Sequence, residues 1–161
     1  MKLLQPLNKR IVCYGMSCVG KTTFAKQLHH KYHCFDALFQ WHLIESFGLS
    51  IKENFIYIND ICKEEEFVID GWHLSDLKGD FLPKDSTVYL IWSPYKKILS
   101  QYRIPVFNYN EFVDMYKKWY SNLKSPSFKI RYILNDGDFF EVNEFDFCNM
   151  LNQDLGFLDM V

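Results

Sequence analysis

Arg10-Ile-Val-Cys-Tyr14, Gly15-Met16-Ser17-Cys18-Val19-Gly20-Lys21-Thr22 and Thr23-Phe24-Ala25-Lys26-Gln27-Leu28 follow one another without a gap. The first segment is apolar with no polar alternation, the pattern of a strand buried on both faces of a parallel sheet. From Thr22 to about Tyr32 the apolar positions Phe24, Leu28 and Tyr32 recur every four residues, which predicts a helix over that span. Between strand and helix stands a glycine, four residues, a second glycine, a lysine and a threonine, in the setting that this loop motif requires.

Such a loop is built to hold phosphate. Its glycines let successive N–H groups turn inward, and the exposed amides and dipole of the following helix add positive potential. Lys21 is expected to reach the β- and γ-phosphates of ATP. Thr22 is expected to offer its hydroxyl to Mg²⁺, a hard cation that usually keeps several waters and takes few protein ligands. The expected nucleotide-binding set is therefore Gly15, Met16, Ser17, Cys18, Val19, Gly20, Lys21, Thr22 and Thr23, with ATP and Mg²⁺ as cofactors.

Outward from the loop, helices are predicted around Leu38–Phe47 and Ile51–Cys62. Glu66–Asp70 and Thr87–Trp92 read as buried strands, each closed by a turn signal. Tyr95–Arg103 reads as helix. A longer helix carries Phe112, Met115, Tyr116, Trp119 and Leu123 and breaks at Ser125-Pro126. Phe128–Leu134 reads as the last strand and Val142–Leu151 as the closing helix. Strands alternating with helices predict an α/β, three-layer P-loop NTPase fold, a parallel sheet flanked by helices with ligands at the carboxyl ends of its strands.

The 161 residues, 48% of them hydrophobic, fit a single P-loop kinase-like domain over 1–161. A net charge of −2 provides no basic field, so a nucleic-acid partner is disfavoured and a small-molecule substrate favoured. Met1–Arg10 lacks the apolar core of a signal peptide and no stretch is long enough to span a membrane, so a cytoplasmic protein is expected. A homodimer is compatible with the sequence. Five scattered cysteines without a C-x-x-C pair are expected to be free thiols.

Past the loop, the chain resembles the nucleoside and nucleotide kinases, most of all thymidylate and deoxynucleoside kinases. Four stretches carry the resemblance: Gly15–Thr23; Val68-Ile-Asp70-Gly-Trp-His-Leu-Ser75-Asp76; Pro83–Pro94 running through a helix to Arg103; and Tyr132-Ile-Leu-Asn-Asp136-Gly-Asp with Glu141. The resemblance implies ATP-dependent phosphoryl transfer to a nucleoside or nucleoside monophosphate. The chain departs from it at Gly71, where thymidylate kinases carry arginine, and in having only Arg10, Arg103 and Arg131. That scarcity makes a nucleoside or another small alcohol as plausible an acceptor as a monophosphate.

Beside Lys21, three residues are candidates for catalysis. Asp70 ends a buried strand beside the loop, where a carboxylate can serve the Mg²⁺ shell or accept a proton, or can simply form an Asp-Gly turn. Asp36 stands near the end of the next strand, as an acceptor-binding carboxylate or a helix cap. Arg103 can swing onto the transferring phosphoryl group or sit solvated at a helix end. Arg131 reads as a strand-surface residue. His29 and His33 lie one helical turn apart without a third metal ligand, and Trp41 and Trp72 are weak candidates for stacking on a base. Two other readings compete: a nucleotide-gated regulatory or assembly protein derived from a kinase, and a polynucleotide 5′-hydroxyl kinase, which the absent basic stripe disfavours.

Cys18 lies inside the loop, where positive potential favours its thiolate. Bound Mg²⁺-ATP is expected to slow its alkylation, followed by peptide mapping. Equal rates with and without nucleotide would overturn the loop assignment.

Overall fold

Apolar runs at residues 10–15, 67–70, 87–92 and 129–135 have side chains to bury on both sides, and they do so by lying next to one another. The computed structural model describes residues 3, 8–15, 19–28, 31–34, 60–70, 85–101, 108–124 and 129–153. Along these the elements are β1 (Arg10–Gly15), α1 (Lys21–Gln27), β2 (Tyr32–Cys34), β3 (Phe67–Asp70), β4 (Thr87–Trp92), α2 (Tyr95–Gln101), α3 (Tyr109–Lys124), β5 (Lys129–Asn135), β6 (Phe139–Val142) and α4 (Glu144–Gln153). The strands form one sheet in the order β2-β3-β1-β4-β5-β6. The first five are parallel, and β6 runs antiparallel to β5.

β1 lies between β3 and β4, so the chain winds away from it to both sides. The crevice at its carboxyl end is the switch point where open α/β sheets bind ligands. Register places Cys34, Asp70, Cys13, Tyr89 and Arg131 in one row across the sheet. This is the face that α1 covers: Phe24 packs edge-on against Tyr89 and Phe139, both with ring centroids at 5.3 Å. The other face belongs to α3 and α4, through Trp119 on Tyr14, Phe112 and Tyr116 on Trp92, and Phe147 on Tyr132. The three-layer α/β architecture is as the sequence predicts.

Helix boundaries follow their caps. The Asn108 carboxamide accepts from the Glu111 amide at 2.9 Å and donates to the Glu111 carboxylate, a reciprocal cap that starts α3. Phe112, Val113, Tyr116, Trp119 and Leu123 then form its buried stripe. Asn143 caps α4, accepting from Asp146 N at 2.8 Å, with Glu144 and Asp146 in the first turn where carboxylates suit the dipole.

The structure corrects four expectations. The first helix stops at Gln27 rather than continuing to Tyr32, because Tyr32, His33 and Cys34 pair with Val68, Ile69 and Asp70. Residues 28 and 32 are an even number apart, so one spacing serves a strand as well as a helix, and sheet pairing decides. His33 therefore stands on a strand and contacts Glu64, and His29 lies outside the described residues. The sheet is mostly rather than wholly parallel. Asp136-Gly137 makes a tight hairpin with Gly137 at φ 91°, residues 139–142 return as β6, and the closing helix begins at Glu144 instead of Val142.

The fourth correction is Arg131, which is buried rather than on the strand surface. Its Nε donates to Glu141 at 2.9 Å, a second guanidinium bond reaches the same carboxylate, and the guanidinium lies 4.9 Å from the centroid of the Tyr89 ring. Of the helices predicted over 38–47 and 51–62, residues 60–62 are helical and the rest lies outside the described residues.

Glu141→Leu strands the guanidinium of Arg131 under the sheet and should lower unfolding free energy by about 3–5 kcal/mol. The double variant Arg131→Met, Glu141→Leu should recover most of that loss, as read from urea unfolding. A single variant as stable as the double would contradict the buried pairing.

Candidate functional site

The loop leaves β1 at Gly15 and enters α1 at Lys21, and its surroundings demand glycine at both Gly15 and Gly20. A Cβ on Gly15 would stand 2.9 Å from Val19 Cγ2 and 3.0 Å from the Ile91 carbonyl oxygen. Gly20 has φ +88°, a left-handed conformation, and a Cβ there would stand 2.5 Å from Asn135 Nδ2.

Three side chains strap the loop. Lys21 is buried, and its Nζ donates to the Gly15 carbonyl at 3.0 Å, so the ammonium spans the loop from helix to strand. Asn135, at the end of β5, donates to the Val19 carbonyl at 2.9 Å. Thr22 Oγ1 donates to Asp70 Oδ2 at 2.8 Å, tying α1 to the end of β3. Thr22 itself is exposed. A hydroxyl has one proton, and with that proton turned to Asp70 its lone pairs face away, in the orientation a cation ligand needs.

Asp70 is only 1% exposed, and it accepts a second hydroxyl, that of Tyr32, on Oδ1 at 2.5 Å. Both carboxylate oxygens are thus satisfied by protein. Cys13, fully buried, stands next to Asp70 in register. Burial and, after it, the Asp70 charge push its thiol well above the usual range, with Lys21 pulling weakly the other way. Cys13 therefore stays a neutral thiol.

Among the described residues no three His, Cys, Asp or Glu side chains gather to hold a metal by themselves. A cation carried by phosphates needs only one or two protein ligands, and Thr22 with Asp70 fits that requirement. Of the predicted set, Gly15, Val19, Gly20, Lys21, Thr22 and Asp70 come together; Thr23 is exposed on the first turn of α1. Met16, Ser17, Cys18, Asp36 and Arg103 lie outside the described residues, as do Trp41 and Trp72. Sequence reasoning missed Asn135 and Tyr32. Asn135 had a signal, a polar residue ending an apolar strand before Asp-Gly. Tyr32 had none, because its partner is 38 positions away.

The hairpin after β5 is held by an ion pair between Lys97 of α2 and Asp136. An open groove of about 280 Å³ between α3 and α4, lined by Tyr116, Tyr120, Phe147 and Leu151 among others, belongs to the helices of the opposite sheet face and not to this site. Among the described residues no helix is long and apolar enough to cross a membrane.

A scan against protein-family models finds no match, and a search of curated proteins finds none. Solved structures with a similar chain path include shikimate kinase from Aquifex aeolicus, at 21% identity over 74% of this chain and 84% of that one, with a TM-score of 0.46. A sugar kinase from a Janibacter species is 12% identical over 80% and 86%, at 0.45. Shikimate kinase from Acinetobacter baumannii, in complex with shikimate, is 16% identical over 90% and 89%, at 0.49.

Gly20→Ala should lose about 1–2 kcal/mol to the left-handed backbone alone, and more through the clash with Asn135. In an Asn135→Ala background the clash disappears and only the backbone part should remain. Chemical denaturation of the four proteins in this cycle measures the difference; strictly additive losses would show that Asn135 does not pack on Gly20.

Proposed function

We propose that this chain binds Mg²⁺-ATP at the Gly15–Thr22 loop and transfers the γ-phosphoryl group to the hydroxyl of a small molecule. The observation that carries this is the assembled pair at the loop: a buried lysine spanning it, and an exposed threonine hydroxyl oriented by a buried carboxylate. The loop amides and Lys21 hold the β- and γ-phosphates. The Thr22 hydroxyl and, through it, Asp70 hold the cation, which when bound neutralises charge on the phosphate oxygens. Phosphoryl transfer asks mainly for position and electrostatics, and a set this small meets that demand.

The arginines bear on the acceptor. Arg131 is committed to Glu141 beneath the sheet, and Arg10 pairs with Asp85 at the amino end of β1, the opposite end from the loop. Arg103 is then the one arginine left to neutralise transition-state charge, with none over for an acceptor phosphate. This favours a neutral alcohol, a nucleoside first, over a nucleoside monophosphate. Asp36 is the carboxylate to test as a ligand or base for that hydroxyl. A regulatory protein that binds nucleotide without transfer shares the loop and differs only in lacking turnover.

Labelled ATP with a panel of nucleosides, nucleoside monophosphates, shikimate, simple sugars and a 5′-hydroxyl oligonucleotide tests the reading. One acceptor should become labelled with stoichiometric release of ADP. Lys21→Ala should abolish transfer while the fold survives. Asp70→Asn should lower the single-turnover rate by on the order of a hundredfold and change ATP affinity measured without Mg²⁺ little, since the carboxylate acts through the cation and most strongly in the transition state. Transfer within about threefold of the parent in Asp70→Asn would remove Asp70 from the chemistry. ATP binding without any labelled acceptor would favour the regulatory reading.

A further inference from the structure

Tyr32 belongs to no motif, yet its hydroxyl holds the carboxylate on which the cation side of the loop depends. It lies on β2 opposite Val68 in register, two residues short of the level of Asp70 and on the same face of the sheet. From there its side chain reaches along the strand to donate to Asp70 Oδ1, while Thr22 donates to Oδ2. The phenol ring is half-buried, with the Lys26 ammonium 5.8 Å from its centroid.

We propose that Tyr32 is a positioning residue for Mg²⁺: by holding one oxygen of Asp70 it fixes the carboxylate plane, so that the other oxygen keeps the Thr22 proton and leaves the Thr22 lone pairs to the cation. This rests on the nucleotide-binding reading above and adds a residue to it. A carboxylate buried to 1% exposure has little water to replace a lost donor. Without the tyrosine hydroxyl it can rotate, and the Thr22 hydroxyl with it. A threonine whose proton turns toward the phosphates presents a donor where a ligand is needed. The loop amides and Lys21 take phosphate without the cation, so phosphate binding in the absence of metal is the control that this rotation should leave unchanged. The carboxylate retains lone pairs beyond the two in use, enough to accept from a cation-bound water as well.

Tyr32→Phe removes one oxygen and keeps the ring. Calorimetric titration with ADP, once in EDTA and once in excess Mg²⁺, gives the factor by which Mg²⁺ tightens binding. In the parent protein that factor should be large. In Tyr32→Phe the affinity in EDTA should stay within about twofold and the Mg²⁺ factor should fall about fivefold, the scale of one hydrogen bond. In an Asp70→Asn background, Tyr32→Phe should have no further effect on the factor.

An unchanged Mg²⁺ factor in Tyr32→Phe would overturn the proposal while leaving the nucleotide reading intact. Equal weakening in EDTA and in Mg²⁺ would also overturn it, because that is what a packing role alone produces. A parent protein that binds no ADP, or binds it without regard to Mg²⁺, would overturn the nucleotide reading and this proposal together.

Discussion

A carboxylate taken out of water must find donors, and Asp70, at 1% exposure, finds them in two hydroxyls from different elements. Thr22 brings the start of α1 to the end of β3, and Tyr32 brings β2 to the same point. The constraint works in both directions. Asp70 holds the helix that follows the loop, and it sets which way the Thr22 hydroxyl faces. A leucine at position 70 would suit the buried strand better, and it would leave both hydroxyls without their acceptor.

The loop itself is strapped from several directions. Lys21 closes it across its own ends, Asn135 reaches it from β5, and Gly15 lies against the Ile91 carbonyl of β4. These contacts converge because β1 sits between β3 and β4 at the centre of the parallel set. β3 ends opposite Cys13 and β4 runs on past the level of Gly15 to Trp92, so residues near both carboxyl ends meet the turn that leaves β1. Preorganisation of this kind matters for phosphoryl transfer, where most of the gain comes from charges already in place. The neutral thiol of Cys13 beneath the loop adds no charge of its own.

The same row of the sheet shows how far buried polarity extends. Asp70, Cys13, Tyr89 and Arg131 follow one another across four strands, and Glu141 on β6, opposite Ile133 in register, reaches Arg131 with its side chain. A parallel sheet ending at β5 would leave the Arg131 guanidinium without its carboxylate. The antiparallel return of β6 is thus bound up with a buried charge as well as with a turn.

Much of this was legible in the order of residues. The glycine loop between an apolar run and an amphipathic run specified β1, α1 and the candidate phosphate site, because backbone conformation at glycine and the reach of a lysine are local matters. Continuous apolar runs identified β3, β4 and β5, and their alternation with helices implied parallel pairing. The hairpin at Asp136-Gly137 was equally written in the chain, as an Asp-Gly pair between two apolar stretches. What the order of residues left open was every decision made by a distant partner. Tyr32 suits helix and strand by spacing, and pairing with β3 made it a strand; Arg131 looked like a surface charge until β6 brought Glu141 to it; Asn135 acquired its role from a carbonyl 116 residues earlier. Local chemistry determined the loop to which phosphate binding is assigned as a proposal, and tertiary structure decided which side chains hold that loop in place, since hydrogen bonds between strands depend on register, which no single segment contains.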